Sequence, residues 1–158
     1  MHVFQLNQLV YKEFFLYDLY ALIDTNSLRT KLLKINLTDE HKKDFQVTGF
    51  LIEDEKEYAR RKNARVLDKV KINASLLDRA SFVKMEFFQY MISNTDWSLR
   101  NRHNLEIVKV SSMEKAIALA YDFDYSGFVG QEYAVPHESI PIENIHERYF
   151  FSYPVSDK

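Results

Sequence analysis

The chain has 158 residues, 46% of them hydrophobic and 28% charged, which is the range of one globular domain with a single core and excludes a disordered segment. A formal charge of −2 and a pI near 6.2 exclude a global basic field for nucleic acid or an anionic membrane, so any anion site has to be local. The absence of Cys excludes disulfides, thiolate zinc sites and thiol nucleophiles, and agrees with a reducing cytoplasm.

The opening stretch, "MHVFQLNQLVYKEFFLYDLY", has no basic start, no continuous apolar run and no small-residue cleavage site, so it reads as part of the fold rather than as a leader or a membrane span. From residue 6 to 23, Leu9, Val10, Phe14, Tyr17, Tyr20 and Ala21 recur at steps of three and four, which predicts an amphipathic helix stopped by Asp24, Thr25 and Asn26. "RTKLLKINL", 29–37, puts Leu33, Ile35 and Leu37 on one side of a strand. "FQVTGFLIE" then begins a second, predicting an antiparallel hairpin with its turn near Asp39. The charge-dense run "DEKEYARRKNARVLDKV", 54–70, predicts a solvated helix over a linker rather than a recognition patch. From 75 to 93, Leu76, Phe82, Met85, Phe88, Met91 and Ile92 crowd more than one face, the mark of a central helix.

Two strands follow, "LEIVKV" and "KAIALAYDF", joined by "SSME". Gly127, Gly130, Pro136 and Pro141 then fall within one fifteen-residue stretch after "DFD", in a chain with three Gly and three Pro in all, and mark a long irregular segment of the kind that serves function. A short helix is expected in "IPIENIHERYFF", where Pro141 suits a first turn, and Arg148 is expected to tie this last segment to the core. Nothing divides the chain, so 1–158 is read as one domain.

Between the central helix and the strand pair lies "NTDWSLRNRHN", 94–104. An antiparallel hairpin brings its outer ends together at a strand spacing of about 4.8 Å, so Asn104 and Asp122 should be neighbours. An amide oxygen beside a carboxylate makes a hard-oxygen site of the kind magnesium accepts, with phosphate oxygens and water completing the shell. Asp96, further back in the loop, then stands where it can take a proton from an attacking hydroxyl; the plainer reading is a carboxylate bracing its own loop. Asp122 and Asp124 at i and i+2 point the same way and repel unless a cation lies there, which makes Asp124 either a second ligand or an ion-pair partner of Arg100 or Arg102. His103 has no second His at ligand spacing and reads as a loop brace. Trp97 and Tyr125 read as packing residues.

In this order the motifs resemble the protein-kinase-like superfamily, most of all the CotH group of atypical bacterial kinases and secondarily the HipA type. In those families the loop reads roughly N-x-D-R-H followed by Asn, the later motif W/Y-D-[IL]-D, and an earlier strand ends in G-x-Y-x-L-x-E. This chain has "NTDWSLRNRHN", "YDFD" and "TGFLIED". The resemblance covers Glu13 to about Gly130. It implies an α+β, incomplete protein-kinase-like fold: an αC-like helix and hairpin over 1–54, then a helical C-lobe over 55–158 carrying the catalytic loop and metal-loop hairpin. It further implies Asp96 as catalytic residue, Glu13 and Asn101 as cofactor-binding, Asn104, Asp122 and Asp124 as metal-binding, and Mg2+ and ATP as cofactors. The partners implied are a nucleotide and a hydroxyl-bearing substrate, without nucleic acid or membrane.

Two departures accompany it. Asn101 stands five residues after Asp96, as the families have it, but Asn104 is the one adjoining the strand, which implies a three-residue insertion. Before Glu13 there is neither a glycine-rich loop nor a strand Lys, and Lys31 and Lys34 come after the helix, so the nucleotide cradle is expected to be truncated or lost. The alternative expectation is therefore an inactive pseudokinase or interaction module that covers its surplus aromatics with a protein partner or a sister chain. A third is a metal-dependent hydrolase using the same carboxylates.

Overall fold

The computed structural model describes residues 2–38, 40–68 and 72–153, with side chains from residue 8 onward. The expected turn residue Asp39 lies outside them. The long first helix, α1 (His2–Ile23), buries Leu16, Tyr17 and Tyr20, one turn of its inner face. It ends where Asp24 Oδ1 accepts the Asn26 N–H at 2.9 Å, a side chain competing with the helix for backbone donors. Strands β1 (Thr30–Thr38) and β2 (Asp44–Ile52) then pair antiparallel from Thr30↔Ile52 to Thr38↔Asp44. Phe50 of this ribbon lies against Phe14 and Tyr17 of α1.

The charge-dense run departs from expectation. It folds as an eight-residue helix, α2 (Glu55–Lys62), and then as a strand, β3 (Ala64–Val66). Asp54 caps α2 by accepting the Lys56 N–H, acids sit in its first turn and bases in its last, and Asn63 ends it in the left-handed conformation. Nor is α2 merely solvated, because Tyr58 is fully buried and Arg61 forks onto Glu53 at 2.6 and 2.7 Å. A local charge count missed both contacts because they reach back to other elements.

Helix α3 (Arg79–Met91) is shorter than the expected 75–93: a single tight turn at Ala74–Leu76 precedes it, and Asp78 caps it through the Ser81 N–H. Strands β4 (Leu105–Val110) and β5 (Ile117–Ala120) complete a three-stranded antiparallel sheet in the order β3, β4, β5. Both faces of that sheet are covered. Leu105, Ile107, Ala116, Ala118 and Ala120 face the main core with α1 and α3, while Val108, Val110, Ile117 and Leu119 face a second cluster with Leu28 and Tyr58. A strand buried on two sides loses its polar alternation, which is why "AIALA", 116–120, is apolar throughout. The alanine row on the main-core face leaves room for the rings of Tyr17, Tyr20, Phe88 and Phe123.

Beyond β5 the described chain is irregular. The short helix expected in 140–151 does not form; Glu147 instead gathers the N–H groups of Glu143 and Asn144 onto one carboxylate oxygen, at 3.0 Å each. Arg148 does tie this segment to α3, donating from Nε to the Met91 carbonyl at 3.3 Å. The whole is an α+β fold, and among the described residues no helix is long and apolar enough to cross a membrane.

Candidate functional site

The site is built around a buried ring. After β5 the Tyr121 N–H donates to the Asn104 carbonyl at 3.2 Å, so the strand ends meet as the hairpin requires. Phe123 is fully buried, with ring centroids 4.8 Å from Tyr17 and 5.4 Å from Phe88. With the central side chain of "DFD" driven inward, Asp122 and Asp124 are left on the outer flank. Two side chains of α1 hold this turn. The Asp122 N–H donates to the Tyr17 hydroxyl at 2.8 Å, and the Phe123 N–H donates to the Glu13 carboxylate.

The second wall is the polar loop after α3. Asn94, buried, donates from Nδ2 to Gln89 Oε1 at 3.0 Å and accepts the Asp96 N–H on Oδ1 at 3.0 Å. Ser98 and His103 exchange backbone hydrogen bonds, both 3.0 Å, which closes the loop. His103 Nε2 stands 2.9 Å from Asp96 Oδ1. Asn104 Nδ2 donates to Asp96 Oδ2 at 3.1 Å and to the Asp96 carbonyl at 2.8 Å. Both oxygens of Asp96 are thus oriented. With its NH2 turned to Asp96, Asn104 keeps its amide oxygen for another partner. Asn104 and Asp122 both take left-handed backbone, φ +54° and +59°, which Asn and Asp tolerate better than most residues.

The electrostatics report a surplus of negative charge. Burial, the Asp124 carboxylate and then the Asp122 carboxylate push Glu13 up to about 7, against the Phe123 N–H, which lowers it. Asp122 is raised to about 6, first by loss of solvent on its inner side, then by the charge of Asp124, a hydrogen bond shared with it, and the charge of Asp96, with His103 opposing. Tyr133 donates its hydroxyl to Asp124 Oδ2, and Tyr125 donates to the Tyr133 carbonyl at 3.1 Å.

The expected residues therefore divide. Glu13, Asp96, Asn104, Asp122 and Asp124 come together from α1, the polar loop and the end of β5. Asn101 sits on the exposed tip of the loop, its N–H donating to Ser98 Oγ at 3.2 Å. Neither expected arginine partner of Asp124 stands by it: Arg102 turns to the Leu67 carbonyl at 2.7 Å and to Glu106 at 3.3 Å, and Arg100 lies on the exposed turn. Trp97 packs, as expected, against Phe82, Phe151 and Tyr153. Among the described residues no three His, Asp or Glu side chains form a metal-holding group, so any cation would draw on two carboxylates and other oxygens.

Sequence reasoning missed two tyrosines. Tyr17 had a usable signal, since it stands four residues after Glu13 on one face of a helix. Tyr133, nine residues after Asp124 in an irregular segment, had none. Compared with family models, curated proteins and solved structures, the chain finds no match.

Proposed function

We propose that the chain is a kinase-like protein that transfers a phosphoryl group from a magnesium nucleotide to a hydroxyl acceptor, in the manner of the CotH-like atypical kinases it resembles. The observation that carries this reading is the convergence of Glu13, Asp96, Asp122 and Asp124 from three distant parts of the chain, with an Asn amide locking Asp96. The order of elements supports it too: helix, ribbon, helix, polar loop, hairpin, then "DFD". The donor chemistry fits magnesium, since Asp122, Asp124 and the Asn104 amide oxygen are hard oxygens and their mutual repulsion falls when a divalent cation shares them. Bound there, the ion would neutralise phosphate charge.

Asp96 has the other part. Oriented at both oxygens, it accepts the proton as the acceptor oxygen bonds to the terminal phosphorus and the bond to the leaving diphosphate breaks. Tyr17 and Glu13 hold the turn that presents Asp122. The test is calorimetry and thermal shift with Mg2+ and ATP on the native chain and on Asp122→Asn, which keeps the backbone preference while removing the charge. Saturable binding that the variant loses is the expected result; equal affinity in the two proteins would refute the assignment.

A second reading rests on a separate observation. On the β1–β2 ribbon Leu32, Ile35, Leu37, Phe45, Leu51 and Ile52 are exposed, although two strands alone are marginal in water. An inactive interaction module would use that ribbon for a partner or a sister chain. It predicts association on light scattering without nucleotide binding.

A further inference from the structure

An open cleft of about 530 Å³ runs beside Asp96, between Thr95 and Asp96 of the polar loop, Tyr125, and the 135–138 segment. This volume is that of a small-molecule site. Its walls have one sign of charge. Asp96 and Glu138 contribute carboxylates, Tyr125 contributes an aromatic ring and His137 an imidazole turned to Ser139 Oγ at 2.8 Å; among the described residues lining it there is no Lys or Arg. Tyr125 is itself fixed, its hydroxyl bonded to the Tyr133 carbonyl and its ring 5.7 Å from that of Tyr133.

We infer that this cleft binds the acceptor, and that the acceptor is a small alcohol carrying an ammonium group. The inference rests on the phosphotransferase reading for the word acceptor, while the ligand class follows from the cleft alone. A cation is attracted to the face of a tyrosine ring and to two carboxylates, and an anionic alcohol is repelled by both carboxylates. Asp96 lines the same cleft, so an ammonium drawn to Glu138 and Tyr125 leaves a hydroxyl on the same small molecule to meet Asp96. The apolar remainder, Val135 and Pro136, suits a short carbon chain.

Three two-carbon probes separate the possibilities: ethanolamine, ethylene glycol and glycolate share a hydroxyl and differ in the group beside it. Amide shifts of Thr95, Asp96 and Tyr125 in a ¹⁵N-labelled chain, followed without nucleotide, report occupancy of the cleft. The expected result is saturable ethanolamine binding at least about tenfold tighter than ethylene glycol, with none for glycolate, and a loss of about tenfold in Glu138→Gln, an exposed residue whose replacement leaves the fold intact. Equal binding of the three probes, or unchanged affinity in Glu138→Gln, would overturn the proposal. So would response to a Lys- and Ser-containing peptide in place of ethanolamine, which would assign the cleft to a polypeptide. Failure of Mg-ATP to bind would instead strike the nucleotide reading and leave these shifts unaltered.

Discussion

Asn104 grips Asp96 at two points, its Nδ2 lying 2.8 Å from the backbone carbonyl and 3.1 Å from carboxylate Oδ2. The amide is buried, at 6% exposure, so neither bond is readily replaced by water. Asn104→Ala should destabilise the fold by about 2–4 kcal/mol, combining two lost hydrogen bonds, one of them to a charge, with a left-handed backbone that Ala adopts poorly. Asn104→Gly removes the same amide but suits the backbone, so urea unfolding should place it about 1 kcal/mol above the Ala variant. Identical stabilities would mean that the φ of +54° carries no strain.

The carboxylate cluster sets a pH dependence whose sign is fixed. Glu13 in the folded chain is raised from about 4.5 to about 7, so between those values the native state binds a proton that the unfolded chain has released. Stability from this group is complete below about pH 4.5 and is lost as pH rises through 7. Asp122 acts in the same direction up to about 6. Chemical denaturation between pH 5 and 8 should show stability falling with pH, and Glu13→Gln should flatten the slope. Magnesium should stabilise most at the upper end, where both carboxylates are charged. A rising slope that Glu13→Gln leaves untouched would contradict the cluster.

Tyr17 holds the backbone of Asp122, its hydroxyl accepting the Asp122 N–H at 2.8 Å. Tyr17→Phe keeps the ring against Phe123 but strands the Asp122 N–H, at a cost of about 1–3 kcal/mol. If the turn is what presents Asp122, magnesium-nucleotide affinity measured well below the melting temperature should fall several-fold in this variant. A variant that is less stable yet binds as the parent does would confine Tyr17 to packing.

The segment 148–153 crosses α3 as a strap. The Tyr153 N–H donates to the buried Glu86 carboxylate at 3.0 Å, Phe150 meets Phe87, and Phe151 and Tyr153 shield Trp97. Trp97 is the sole tryptophan, so the emission of the chain comes from one site, bounded by this strap and by Phe82 of α3. Phe151→Ala with Tyr153→Ala should shift that emission to the red and cost about 2–4 kcal/mol, both rings being half-buried. Unshifted emission would place the shielding elsewhere.

Much of the frame is legible in the sequence, because helices and strands announce themselves within a few residues. The three- and four-residue recurrence at Leu9 to Ala21, the alternation in "RTKLLKINL" and the apolar pair "LEIVKV" and "KAIALAYDF" each fixed an element. Hairpin geometry alone then required Asn104 and Asp122 to lie at adjoining strand ends. The run at 54–70 misled for a related reason: high charge density describes its solvent side, whereas Tyr58 and the strand Ala64–Val66 answer to distant partners.

Local periodicity and turn residues place the elements, and the chain order names the polar groups that stand at their ends. No such local signal foretells that Tyr17 holds an amide 105 residues away, that Tyr133 caps Asp124, that Arg102 turns from it, or that a cleft opens beside Asp96. Such contacts depend on how α1, the polar loop and the last segment pack around one buried phenylalanine, and packing is a property of the whole core rather than of any stretch of it.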